Sequence, residues 1–150
     1  MAQSNTAEKP AIKITRTYNA PREKVFRAWT DPEVIKKWFA PSDEFAVPEV
    51  QVDAKVGGRY RIVMRSPDGE YHRVGGVYRE YLPPARLVFT WAWESTPEIE
   101  SLVTVEFKDL GKSTELVLTH ERFADEEARD KHQQGWNGCL ARLERYLAQP

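Results

Sequence analysis

Residues 124–147, ADEEARDKHQQGWNGCLARLERYL, leave the rest of the chain little choice. Trp136, Leu140, Leu143 and Leu147 recur at helical spacing, with Cys139 beside them and Ala128 further back. Such a stripe predicts one long amphipathic helix. Asp125, Glu126 and Glu127 put negative charge where the helix exposes its free N–H groups, and Arg142 and Arg145 put positive charge toward the carbonyl end. At 1.5 Å per residue the helix would be roughly 35 Å long, enough to cross a small domain. A helix of that length with one apolar face needs a broad apolar surface to lie on.

The preceding residues supply that surface as strands. Residues 11–18 alternate Ile12 and Ile14 with Lys13 and Thr15, which predicts a first strand. Pro21 then opens a helix at a first-turn position, with Val25, Phe26 and Trp29 on its buried face. Thr30, Asp31, Pro32 and Glu33 form a capping-box pattern that starts a second, short helix ending near Trp38 and Phe39. Further strands are predicted over 47–56, 59–65, 70–82, 86–94, 101–108 and 114–122. Gly57 and Gly58 read as a two-residue hairpin, and Pro67, Asp68 and Gly69 as the next turn. Gly75 and Gly76 mark a bulge or bend inside a strand. Short turns between successive strands make an antiparallel meander, with the first strand pairing to one end of it. The expected class is α+β, in the order β-α-α-β6-α. A curved sheet of about seven strands wraps the long C-terminal helix, the element able to cover its concave face.

A chain of 150 residues is expected to form a single domain over 11–150, behind a polar segment, 1–10, that is expected to be disordered. Lys plus Arg total 22 and Asp plus Glu 23, so no strong field argues for nucleic acid as a partner. No apolar run is long enough for membrane insertion. The single Cys139 excludes an internal disulfide and points to a reducing, cytoplasmic compartment. Three His and one Cys lack metal-ligand spacing, so neither a metal nor a cofactor is expected. Asp53, Glu80, Glu106 and Glu121 are scattered over strands, and no acid–base pair or catalytic residue is assigned. Arg59, Arg61 and Arg65 make the outer sheet face polar, consistent with a monomer or a weak homodimer.

The order of elements, with these residues, resembles the START-like superfamily that also holds the birch-pollen-allergen proteins and polyketide cyclases. Within it the chain is similar to the family named for the activator of the heat-shock protein 90 ATPase. The matching stretches are Tyr18 to Pro21 with Val25 to Trp29, Asp31–Pro32 with Lys37 to Phe39, and Asp53 through Gly58. They continue with Pro67 to Gly69, Pro83 to Trp91, and Gly135–Trp136 with Leu140. The resemblance implies a helix-grip fold with a hydrophobic tunnel between sheet and helix. It also implies a chaperone as one conceivable partner, and relatives that bind small hydrophobic molecules, some conferring resistance to toxic natural products.

The expected function is binding of a small hydrophobic molecule, as carrier, sensor or sequestering protein. A cyclase- or dehydratase-like enzyme using the same cavity, and a chaperone-regulating interaction module, are the alternatives. Bulky rings around a curved sheet leave space for apolar ligands, and Trp38, Phe39, Trp91 and Trp136 are the expected wall residues, with Phe89 and Leu140 on the same inward faces. His120, on the face of Leu116 and Leu118, and His132, four residues before Trp136, are candidates to orient a ligand, with Tyr60, Tyr78 and Met64. His72 is expected to be exposed, and Cys139 to be buried filler rather than a nucleophile. Gly135 and Gly138 bracket Trp136 and suggest close approach of the helix backbone to the sheet or to a ligand. Access is expected past Trp38 and Phe39, with the short second helix as a gate.

Overall fold

The computed structural model describes residues 10–149, and the expectation for the N-terminal segment falls, apart from Pro10, outside them. Strand β1 (Ile12–Tyr18) is followed by helices α1 (Arg22–Thr30) and α2 (Pro32–Trp38). Six strands come next: β2 (Ala46–Val52), β3 (Arg59–Arg65), β4 (Tyr71–Leu82), β5 (Arg86–Trp93), β6 (Ser101–Asp109) and β7 (Thr114–Glu121). Helix α3 (Glu126–Leu147) closes the chain. All seven strands form one antiparallel sheet in the order β1-β7-β6-β5-β4-β3-β2. The first strand pairs with the last, Ile12 opposite His120 and Tyr18 opposite Thr114. The predicted α+β architecture is therefore the one observed.

Local chemistry sets most boundaries. Asp31, not Thr30, caps α2 by accepting from the Glu33 N–H at 2.9 Å, with Pro32 at the first helical position. Pro21 itself is the residue before α1 rather than within its first turn. Asp125 caps α3 by accepting from the Ala128 N–H at 2.8 Å. Gly57 and Gly58 do not form a two-residue hairpin. β2 ends at Val52 and the chain loops through residues 53–58, held by the Gly58 N–H on the Lys55 carbonyl and by paired bonds between residues 57–58 and Tyr78.

Gly75 and Gly76, expected to mark a bulge or bend, are the places where neighbouring strands come closest to β4, and the register shift lies further along it. A Cβ on Gly75 would lie 2.7 Å from the Tyr60 carbonyl oxygen, and one on Gly76 would overlap the Thr90 carbonyl. The β4–β5 ladder skips Gly76 and Val77 and slips register between Tyr78 and Glu80. The freed groups are satisfied by side chains: the Tyr60 hydroxyl donates to the Thr90 carbonyl at 2.6 Å, and the Val77 N–H to the Thr90 hydroxyl at 2.8 Å.

The inward residues of all seven strands form the core with α1, α2 and the buried face of α3. The buried residues of α3 are Trp136, Cys139, Leu140, Leu143 and Leu147. All lie in its C-terminal part, which is anchored at several points. The Tyr18 hydroxyl donates to the Leu140 carbonyl at 3.0 Å, Arg142 Nη1 to the Trp38 carbonyl at 3.1 Å, and Arg145 pairs with Asp43 at 2.6 Å. Tyr18→Phe keeps the ring and removes only the buried donor. Thermal unfolding should show a loss of about 1 kcal/mol, and an unchanged midpoint would mean the bond contributes nothing.

Candidate ligand-binding cleft

Where α3 stops packing, a cleft begins. Between Ala128 and Trp136 the helix carries only polar residues and Gly135, so over this stretch it has no large apolar side chain to push into the core, and His132 alone reaches inward. The space beneath is a cleft of about 680 Å³. Its walls come from the loop after α2 (Phe39, Pro41, Phe45), from Met64 of β3, His72 of β4 and Trp91 and Trp93 of β5, and from α3 (Lys131, His132, Gln134, Gly135, Trp136, Cys139). Trp91 is the hub. Its ring centroid lies 5.3 Å from Trp136, 5.6 Å from Trp93 and 6.2 Å from Phe39. Behind the cleft wall, Trp136 also stacks on Trp29 at 5.8 Å.

Two histidines hold this aromatic wall. His120 Nδ1 accepts from the Trp136 indole N–H at 3.0 Å, which places the proton of the neutral ring on Nε2. Nε2 then donates to the Ser101 hydroxyl at 2.7 Å, and that hydroxyl donates to the Trp91 carbonyl at 3.3 Å. His132 mirrors the arrangement: Nε2 accepts from the Trp93 indole at 3.0 Å and Nδ1–H donates to the Ala128 carbonyl at 2.7 Å. Burial pushes the His120 pKa down to about 2, aided by His132, and burial likewise lowers that of His132. Both rings are neutral and both have committed each nitrogen. Burial also pushes the Cys139 thiol up to about 12, so the cleft holds no thiolate at neutral pH. No Asp or Glu is among the lining residues. Among the described residues no cluster of His, Cys, Asp and Glu is arranged to hold a metal ion.

Of the residues singled out from the sequence, Phe39, Met64, Trp91, His132 and Trp136 meet at this cleft. Trp38, Tyr60, Tyr78 and Phe89 lie deeper, around a separate small chamber that Phe39 and Trp91 also border. His120 and Leu140 border neither space; both are fully buried. The rim is formed by Phe45, His72, Lys131 and Gln134, all partly or largely exposed. Access therefore does not pass Trp38, which is fully buried with its indole donating to the Ala28 carbonyl at 2.8 Å. His72 is half-buried at the cleft rather than free in solvent, its Nε2 3.1 Å from the Ser66 hydroxyl. The two helix glycines divide the roles anticipated for them as a pair. A Cβ on Gly138 would overlap the carbonyl oxygen of Pro41, in the loop after α2 rather than in the sheet, whereas a Cβ on Gly135 meets nothing within 4 Å.

A family model described as Activator of Hsp90 ATPase homolog 1-like protein matches residues 19–148. The chain belongs to this AHSA1-like family. Solved relatives agree along nearly the whole length. A protein from Chromobacterium violaceum is 27% identical with a TM-score of 0.84, over 93% of this chain and 98% of that one. The AHSA1 protein from Silicibacter pomeroyi is 26% identical with a TM-score of 0.82, over 93% and 98%. An uncharacterised protein from Rhizobium leguminosarum is 32% identical with a TM-score of 0.77, over 92% and 93%. Comparison with curated proteins finds no match. No described helix of this AHSA1-like domain is long and apolar enough to cross a membrane.

Proposed function

We propose that this AHSA1-like domain binds a small, largely apolar molecule in the cleft beneath the first half of α3, as a carrier, sensor or sequestering protein. The observation that carries this reading is the cleft itself: about 680 Å³ walled by Phe39, Phe45, Trp91, Trp93 and Trp136. That volume lies within the range of small-molecule sites, roughly 300–1,000 Å³. Covering about 250 Å² of apolar surface contributes roughly 6 kcal/mol before the costs of association. Lys131 and Gln134 at the rim suit a polar or anionic edge on the ligand, while the aromatic walls take its body.

Binding without chemistry is the better reading because no carboxylate lines the cleft and the two histidines that hold its aromatic wall are committed to the scaffold, which leaves His72, with Nε2 on the Ser66 hydroxyl, as the remaining imidazole at the rim. His120 and His132 each use both ring nitrogens on the scaffold, and His120 is shut away from the cleft. The outer sheet face does not favour an interaction module, being laced with ion pairs such as Arg61 with Glu49 and Glu94 and Arg86 with Glu80 and Glu106. The exposed large apolar side chains of the described residues are Val56, Ile99 and Leu110 in loops and Tyr71 and Leu82 at the ends of β4.

Gly135→Trp tests the site without disturbing the fold, because open space awaits a side chain there. Titration with 1-anilinonaphthalene-8-sulfonate should give bright, saturable binding to the wild type and at least about tenfold weaker binding to the variant. The urea midpoint of the variant should be no lower than that of the wild type. Equal dye binding by both proteins would contradict the assignment of the cleft.

A further inference from the structure

The turn between β3 and β4 carries a polar relay that ends at the cleft mouth. Asp68 accepts from the Ser66 hydroxyl and, at 3.0 Å, from the Glu70 N–H. The bond from Ser66 holds its carboxyl below the usual carboxylate range. An ionised carboxylate only accepts, so the single Ser66 proton lies toward Asp68. The Ser66 oxygen is then the acceptor for His72 Nε2, 3.1 Å away, and that nitrogen carries the proton of the neutral ring. The relay therefore fixes one tautomer, with the lone pair on Nδ1.

This Nδ1 is unlike the ring nitrogens of His120 and His132. It has no partner among the described residues, yet it is not among the buried polar atoms left without one, so it is open to solvent. Its side chain belongs to the concave face: His72 stands directly opposite Met64 on β3, and both line the cleft. Phe45 flanks the imidazole, their ring centroids 6.2 Å apart.

We propose that His72 is the specificity residue of the cleft, its Nδ1 accepting a hydrogen bond from a hydroxyl carried on an aromatic body, so that the ligand is a phenol or naphthol. The inference rests on the cleft being a ligand site and adds the group that reads the ligand. A bare hydrocarbon would take Nδ1 out of water and leave it unpaired. A carboxylate or ketone would set acceptor against acceptor. An ammonium would bring charge to a cleft that has no carboxylate and already has Lys131 at its rim. The rings of Phe45, Trp91 and Trp93 favour an aromatic body through stacked and edge-on contacts.

2-Naphthol, 2-naphthoate and naphthalene share one bicyclic body and separate these classes. Their affinities are measured by displacement of 1-anilinonaphthalene-8-sulfonate, itself titrated separately against each protein. His72→Phe should weaken 2-naphthol about tenfold and leave naphthalene and 2-naphthoate unchanged. In wild type labelled with 15N-histidine, with His72 assigned by its absence from the variant, 2-naphthol should move the Nδ1 signal to lower frequency, and naphthalene should leave it in place. That readout stands even if His72→Phe folds poorly. The shift should vanish in Gly135→Trp, which ties the nitrogen to the cleft rather than to the shallow hollow with Arg73 and Glu94 that His72 also borders. Equal effects of His72→Phe on 2-naphthol and naphthalene, an unmoved Nδ1 signal, or a shift that persists in Gly135→Trp would overturn the hydroxyl assignment and leave the cleft reading standing. So would 2-naphthoate as the compound that depends on His72, with Nδ1 taking up a proton. If none of the three binds, both readings fail.

Discussion

Gly138→Ala is expected to destabilise the protein by about 3 kcal/mol, while Gly135→Ala, three residues away on the same helix, stabilises it by up to about 1 kcal/mol. In isolation the two changes are identical, each replacing a helical glycine by the best helix former. The surroundings reverse the sign. A methyl group at 138 would overlap the Pro41 carbonyl oxygen and lie 2.8 Å from its carbon, and these are backbone atoms that cannot swing aside. Either α3 lifts from the loop after α2 or that loop retreats, and the neighbouring Arg142 and Arg145 bonds to Trp38 and Asp43 are strained with it. At 135 the methyl enters open space beside the cleft, and only the helix-propensity gain remains. Urea unfolding at neutral pH distinguishes them, with midpoints moving in opposite directions. A Gly138→Ala protein as stable as wild type would mean that the helix does not seat on Pro41.

Acid is expected to weaken the protein before its carboxylates begin to titrate, through the buried histidines. His120 stays neutral in the folded state down to about pH 2, whereas in the unfolded chain a histidine takes its proton near pH 6.5. Between those limits the unfolded state binds a proton that the folded state refuses. Stability is therefore full above about pH 6.5 and falls as pH drops, by about 1.4 kcal/mol per unit from this one group. From pH 6.5 to 4.5 the loss from His120 alone is about 2 kcal/mol, and His132, whose pKa is also lowered by burial, adds in the same direction. Asp43, Asp68 and Glu94 have lowered pKa values and lose their contribution as pH falls from the ordinary carboxylate range downward, which starts at the lower edge of this window. His120→Phe should reverse the balance. At pH 7.5 it costs about 2–5 kcal/mol, because the Trp136 indole and the Ser101 hydroxyl lose their partner. Its stability should nevertheless fall less steeply than wild type between pH 6.5 and 4.5. Urea midpoints at four pH values measure both effects, and parallel slopes for the two proteins would rule out His120 as the source.

The architecture was legible because it is written in local patterns: alternation in the strands, the stripe from Trp136 to Leu147, and turn residues at regular intervals. The hairpin at Gly57 and Gly58 was misread because the pair serves the contact with Tyr78 on β4, which only the folded sheet reveals. At the site, Trp91, Trp136 and Phe39 followed from inward alternation and helical phase. Phe45 did not, since it lies in an irregular loop with no period to place it. Trp93 alternates inward with Trp91, and what sets its ring at the cleft is the bond to His132, invisible in sequence. His72 looked exposed beside a turn, yet the loop carrying Phe45 partly covers it, their rings 6.2 Å apart. One signal was present and was not weighed: the polar run of residues 129–134 breaks the apolar stripe of the long helix. A helix that must cover a sheet but carries no apolar residue for that distance leaves something uncovered, and that gap is the cleft.

Native mass spectrometry of wild type and Gly135→Trp, isolated from the same cells under the same gentle conditions, addresses the cleft most directly. The wild type should carry a small molecule that dissociates on collisional activation, and the variant should fly bare with an unchanged charge-state envelope. Equal loading of both proteins, or of neither, would contradict the claim that the space beneath α3 is where this domain holds its ligand.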